Sequence, residues 1–337
     1  MADLRNGLNI TKVSGFTLVG FPLGHQAKVL LFLVFLSVYL LTILSNVIII
    51  YLVKFDQHLH KPMYFFLANF SFLEIWYISV TVPKMLSDFL DEGKKISMVG
   101  CLTQFYFFFF FGSMENFLLV IMSFDRYLAI CYPLQYLIIM TERFCILLAV
   151  GAWIVSVIAM MIVIIPVSQL SFCGSNEIDH VFCDFSPLVK LSCNSTKVSE
   201  TIFFFLAGVV IIGCFGLIMA SYVQIIITVV TTSSTSGLRS ALTTCTSHFT
   251  VVFIYYGTVM FMYMRPSAAI TFNVDKVVSV CYAVLTPLLN PIIYSLRNKD
   301  VKHAMQRSTR NSIESFNTIR KQPKSHSLKG HGLLKKP

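Results

Sequence analysis

The chain has 337 residues, of which 56% are hydrophobic and 12% charged, with 31 phenylalanines and a formal net charge of +10. A soluble domain is about 45–50% apolar and about 25% charged, so this balance excludes an ordinary water-soluble protein and suits a bilayer. The positive charge gathers at one end of the chain, which favours attraction to a lipid surface and argues against a nucleic-acid partner.

Residues 1 to 26 hold no apolar core followed by a small-residue cleavage site, so no signal peptide is expected and the first span should direct insertion. Asn9-Ile10-Thr11 is a glycosylation acceptor. Seven apolar runs follow, near 29–53, 63–87, 101–124, 144–167, 202–230, 240–264 and 277–296, each able to cross a hydrocarbon core of about 30 Å as a helix. Eleven basic residues, from Arg297 to Lys336, follow the last run, so the C-terminus should lie inside and the N-terminus outside. The expected fold is an all-α membrane protein, a seven-helix bundle. Residues 1–26 form its outer N-terminus and 27–297 the bundle; 298–308 form a short amphipathic helix on the membrane surface, and 309–337 a disordered basic tail.

The second span contains Glu74 and the third Glu115, Asp125 and Arg126, ionisable groups that tend to face a bundle interior. Glu115 and Arg126 are eleven positions apart, three helical turns with roughly 20° left over, so they share a face with Phe108, Gly112, Leu119 and Met122. Glu74 should sit about level with Glu115. Two carboxylates at one depth cannot both ionise cheaply, so a sodium ion or a shared proton is the expected occupant between them. The competing reading has each carboxyl hydrogen-bonded to neighbouring spans. Arg126, beside Asp125 at the inner end of the span, is a candidate latch for a two-state bundle.

Between the fourth and fifth spans lies a long outer loop with Cys173, Cys183 and Cys193, and Cys101 opens the third span at the same face. Four cysteines permit three pairings; the favoured one joins Cys101 to Cys183 and Cys173 to Cys193, folding the loop as a lid. His180 and Asp184 flank Cys183 in a stretch that a metal could use, but a disulfide sulfur is a poor ligand and no metal is expected. Cys131, Cys145, Cys214, Cys245 and Cys281 should be free thiols. Helical spacing turns Phe108, Phe109, Gly112, Ser113 and Asn116 of the third span inward, with Phe203, Leu206, Val210, Tyr256, Val259, Tyr263 and Val280 closing a pocket from other spans. So apolar a lining favours a small hydrophobic ligand held by burial and one or two hydrogen bonds.

Four stretches resemble one family: MSFDRYLAICYPLQY (122–136), HKPMYFFLANFSFLE (60–74), TTCTSH (243–248) and PLLNPIIYSLRNK (287–299) are similar to signatures of vertebrate olfactory receptors of the tetrapod type, within the rhodopsin-like G-protein-coupled receptors. The resemblance covers nearly 10 to 305 and implies a multi-pass plasma-membrane odorant receptor coupled to a stimulatory, olfactory-type heterotrimeric G protein that raises cyclic AMP. By the same resemblance Asp125, Arg126 and Tyr127 form the triplet whose arginine meets the G protein, Asn290, Pro291 and Tyr294 belong to the seventh-span motif, and Tyr222 is the partner of Tyr294. Glu74 and Glu115 match the family's paired acids, and Cys101 and Cys183 its disulfide. The chain departs from the pattern at Ser240 (usually lysine), Leu242 (usually phenylalanine), Ser45 (usually glycine) and Tyr255, where Phe-Tyr-Gly is common. The loss of a lysine at 240 is expected to weaken coupling or resting-state contacts. Other readings are a rhodopsin-like chemoreceptor working outside the nose, a transporter, for which no internal repeat is seen, and an enzyme built on Cys245 and His248, which lack a third orienting partner.

Overall fold

The computed structural model describes residues 15–321 apart from 92–94, 174, 232–234 and 264–271. Eleven α-helices follow one another among the described residues: α1 (His25–Phe55), α2 (Pro62–Leu90), α3 (Met98–Cys131), α4 (Pro133–Ile139), α5 (Glu142–Ser168), α6 (Phe185–Lys190), α7 (Lys197–Thr231), α8 (Thr235–Tyr263), α9 (Phe272–Val280), α10 (Thr286–Arg297) and α11 (Lys299–Lys321). A five-residue π turn, Cys281–Leu285, joins α9 to α10 into one span. The spans are therefore α1, α2, α3, α5, α7, α8 and the α9–α10 composite, N-terminus outside. Six are long and apolar enough to cross a membrane by themselves, and α8 contributes a shorter apolar stretch, His248–Tyr263.

Local chemistry sets the helix starts. Ser97 Oγ accepts from the Gly100 amide at 3.0 Å, Thr141 Oγ1 from Phe144 at 3.3 Å, and Pro62 and Pro133 occupy first-turn positions where a missing N–H costs nothing. Helix α3 runs through the middle, packed against α2, α5, α7 and α8. Its apolar stretch is 61% buried, against 17% for α1, whose Leu30, Leu33, Leu40, Leu41 and Leu44 face outward. Such a continuous greasy belt would be an aggregation surface in water; against lipid tails it costs nothing. Inside, where apolar burial gives helices no preference over lipid, close packing and interhelical hydrogen bonds hold the spans together. Asn46 of α1, 1% exposed, donates to the Thr42 and Pro287 carbonyls.

Over the outer end lies a three-stranded sheet in the order β2-β1-β3, made of Lys95–Ser97, Gly15–Leu18 and Glu177–Ile178. Strand β1 runs antiparallel to β2 and parallel to β3. A Cβ on Gly15 would come within 2.6 Å of the Ile96 carbonyl oxygen, so glycine permits this pairing; Gly20 turns the chain away with a φ of 62°. Phe16 and Leu18, each 1% exposed, point down into the lid, where Phe16 meets Phe172 edge-on at 5.1 Å.

The inner end differs from expectation at α11, which continues as helix to Lys321 where a disordered tail from 309 was predicted. Residues 322–337 lie outside the described residues, as does Asn9.

Candidate functional site

In the outer half of the bundle, α2, α3, α5, α7, α8 and the α9–α10 span line an apolar cavity with about 670 Å³ of space counted with its open mouth. Phe108, Phe109, Gly112, Ser113 and Asn116 line it from α3, Phe203, Leu206 and Val210 from α7, and Val259 and Tyr263 from α8, as the spacing predicted. Two predicted residues are not on the wall. Tyr256 is replaced by its neighbour Tyr255, and Val280 by Tyr282. One helical step is about 100°, so adjacent residues face different ways. The ring of Tyr256 instead meets Phe215 at 5.2 Å. At Val280 the π turn begins one residue later and changes the helical phase on which the reading relied.

Sequence reasoning also missed Tyr77 from α2, Ala159, Met160 and Val163 from α5, and Ala207 and Ile211 from α7. Helix α5 is apolar on every side, so no stripe marked its inner face.

Aromatic contacts build the walls. Phe109 lies 5.1 Å from Phe203 and 5.7 Å from Tyr263, both near-perpendicular, while Phe108 stacks on Tyr77 at 5.2 Å. Of the run Phe105 to Phe111, Phe107 faces outward, and Phe110 packs on Trp153 at 5.6 Å. Beneath the cavity, Asn116 Nδ2 donates to the Gly112 carbonyl at 2.8 Å and to the Tyr255 hydroxyl at 2.8 Å, and that hydroxyl donates to Gly112 at 3.0 Å. The Gly112 carbonyl can only accept, which fixes the orientation of the Asn116 amide.

The lid rests on the pocket. Cys183 is bonded to Cys101, with Cα atoms 5.5 Å apart, and Cys173 to Cys193, with Cα atoms 5.9 Å apart. Phe182 sits 4.6 Å from Phe108, and Phe185 stacks on Phe203 at 3.8 Å. His180 and Asp184 are structural parts of this lid. His180 Nδ1 faces the Phe182 carbonyl at 3.2 Å, and Nε2 faces Ser279 Oγ at 3.2 Å. Burial pushes the His180 imidazole down to about 4 and the Asp184 carboxyl up to about 6. Asp184 is partly relieved by the Phe185 amide, which donates to it at 2.7 Å. Lys276, at the outer end of the seventh span, pairs with Asp179 of the loop and donates to the Gly20 carbonyl at 3.0 Å, buttoning the sheet to the bundle. Among the described residues no group of three or more His, Cys, Asp or Glu is placed to hold a metal ion.

The inner half contains the remaining predicted residues. Glu74 and Glu115 are 0% and 1% exposed; Asn290 donates to Glu74, while Glu74 Oε2 and Glu115 Oε1 have no hydrogen-bond partner. Arg126 donates to Asp125 at 2.7 Å, and the Tyr136 hydroxyl of α4 donates to the other oxygen of that carboxylate at 2.8 Å. Tyr127, on the same turn, meets the Tyr132 ring at 5.6 Å. Tyr222, which the family resemblance pairs with Tyr294, is hydrogen-bonded to His248 Nδ1 of α8. The side chain of Tyr294 lies outside the described residues, as do those of Ser240, Leu242 and Cys245; Pro291 lies within α10.

A family profile described as "Olfactory receptor" matches residues 35–311. Olfactory receptor 6B9 of Mus musculus is 47% identical over 300 residues, 89% of this chain and 95% of the relative; olfactory receptor 6Y1 of Homo sapiens is also 47% identical over 300 residues, with 89% and 92% covered. Among solved structures, squid rhodopsin superposes with a TM-score of 0.68 over 90% of this chain and 88% of its own, at 17% identity, a likeness of fold.

Proposed function

Because this chain belongs to the olfactory receptor family, a multi-pass plasma-membrane receptor and not an enzyme, we propose that its outer cavity binds small hydrophobic odorants and that binding drives a stimulatory, olfactory-type G protein to raise cyclic AMP. The observation that carries this reading is the apolar cavity walled by Phe109, Phe203 and Tyr263, directly above a polar network joining α3 to α8. A ligand wedged among those rings acts only through a difference in affinity between two bundle arrangements. Its leverage falls on Tyr255, and through α8 on the Tyr222–His248 contact below. Outward movement of the inner end of α8 then bares Arg126, which the G protein's C-terminal helix receives in place of Asp125.

Glu74 and Glu115 fit a sodium ion or a shared proton, because each keeps one buried oxygen without a partner beside Asn290. A cation there would hold α2, α3 and the seventh span together in the resting arrangement. Glu115→Gln should then alter the sodium and pH dependence of the response; an unchanged response ends the ion-site reading.

The test of the main reading expresses the receptor with an olfactory G protein, screens volatile compounds by cyclic AMP, and repeats with Arg126→Ala and Phe109→Ala. Ligand-evoked cyclic AMP that disappears in Arg126→Ala supports the proposal. A response that survives it overturns the role given to the arginine.

A further inference from the structure

Most of the cavity wall is apolar, so the few polar atoms on its floor decide which functional group a ligand can bring there. We propose that this floor receives a hydrogen-bond donor, so that alcohols and phenols are preferred over aldehydes, ketones and ethers of the same carbon skeleton. The inference rests on the reading of the cavity as an odorant site and names the chemical class that site selects.

The balance of donors and acceptors carries it. The Asn116 side chain has two N–H bonds and one carbonyl. Its nitrogen donates to the Gly112 carbonyl at 2.8 Å and to the Tyr255 hydroxyl at 2.8 Å, one N–H for each acceptor. The Tyr255 hydroxyl has a single proton, which it gives to Gly112 at 3.0 Å. What remains is Asn116 Oδ1, an obligate acceptor on a residue 4% exposed, with no hydrogen-bond partner among the described residues. Ser113 lies three positions earlier, a neighbour on the helix surface and also part of the wall. Its Oγ is buried and likewise has no partner among the described residues.

The other polar groups of the wall do not discriminate. A hydroxyl both donates and accepts, so Ser113 and Tyr77 serve an alcohol or a carbonyl alike, and the Tyr263 and Tyr282 hydroxyls are bonded to each other at 2.6 Å. Among the described wall residues, only the Asn116 carbonyl tells the two classes apart. An alcohol set between Ser113 and Asn116 accepts the serine proton and donates its own, pairing both atoms. A carbonyl or ether in the same place accepts from Ser113 but turns a lone pair toward Oδ1. That oxygen then stays unpaired in an apolar setting.

Tyr255 creates the asymmetry. Phenylalanine, common at this position in the family, would leave one Asn116 N–H free to meet a carbonyl; the tyrosine of this chain takes it. Preference for a donor therefore belongs to this chain's departure from the family pattern.

The test expresses the full-length receptor with an olfactory G protein and applies linear and benzylic alcohols, each beside its matching aldehyde and methyl ether. Half-maximal concentrations for cyclic AMP should be roughly tenfold lower for each alcohol than for its two counterparts. Three variants locate the cause, each read as a ratio within one variant so that expression level and baseline cancel. Tyr255→Phe should close the gap, because the freed N–H serves aldehydes. Asn116→Leu should close it too, because the discriminating carbonyl is gone; if that variant fails to reach the surface, Tyr255→Phe decides. Ser113→Ala takes a partner from both classes and should keep the ratio. Aldehydes or ethers as potent as their alcohols, a gap that survives Tyr255→Phe, or a gap that Ser113→Ala removes would overturn the inference and leave the odorant reading standing. If no compound evokes cyclic AMP that Arg126→Ala abolishes, the odorant reading falls and this inference with it.

Discussion

The amide of Asn116 donates to the hydroxyl of Tyr255, joining α3 to α8 at the floor of the outer cavity. At this position the family commonly carries phenylalanine, so the link belongs to a departure of this chain. Tyr255→Phe removes the hydroxyl from both Asn116 and Gly112. A buried hydrogen bond contributes about 1 kcal/mol net, roughly a fivefold change in a two-state equilibrium. Basal cyclic AMP should rise by about that factor if the link holds the resting arrangement. An unchanged baseline would show that it does not.

Phe109 touches both Phe203 and Tyr263, so it braces two sides of the cavity. Phe109→Ala should weaken any aromatic or cyclic odorant by roughly 10- to 100-fold in half-maximal concentration, the loss of about 1.5–3 kcal/mol of burial. Ala207→Phe fills the cavity from α7 instead and should select for smaller ligands. Dose–response curves for a graded series of chain lengths check both.

Acidity acts on the lid through two opposed groups. The Asp184 pKa is raised to about 6 in the fold, so its contribution is full below the ordinary carboxylate range and is lost as pH rises through 6. His180 is lowered to about 4, so its contribution is present above the ordinary histidine range and is lost as pH falls from about 6.5 toward 4. Between about 4 and 6 the two slopes cancel. Asp184→Asn removes one of them, and the lid should then lose up to about 3 kcal/mol on acidification from pH 6.5 to 4. Thermal unfolding against pH, compared with the unsubstituted chain, measures this; parallel profiles would refute it.

The bond between Cys101 and Cys183 closes a separation of 82 residues. Chain-entropy reasoning gives a loop of that size about 4–5 kcal/mol of stabilisation. Cys183→Ser should therefore cut surface expression severely, and Cys101→Ser together with Cys183→Ser should be no worse than either alone. Surface labelling of intact cells decides.

The seven spans could be read directly because lipid imposes the same requirement on each, about 20 apolar residues with every backbone group paired internally. The pocket walls on α3 and α7 were legible for the same reason that Glu115 was: costly or bulky residues recur at helical spacing. Errors came where the ruler changed. Val280 was misplaced at a π turn, and Tyr256 by one residue of phase. Strands of four, three and two residues leave no periodic trace, and their pairing depends on segments far apart in sequence. Beyond Met305 the Ser, Lys and Pro content of the tail reads as disorder by composition, whereas the clamps at Asp56, Lys61 and Tyr64 that anchor the first turns of α11 come from other elements. The contact between Tyr222 and His248 was hidden because each was assigned elsewhere.

Strand β1 leaves the ribosome first, but one of its two edges waits for Glu177–Ile178, which arrives only after four spans have been inserted. The extracellular cover must therefore be assembled late, by threading an already translocated leader between two loops made afterwards. Any bulky fusion or glycan placed close to Gly15 competes with that threading step. Maturation of the receptor is thus vulnerable at a short ribbon that forms no part of the cavity wall.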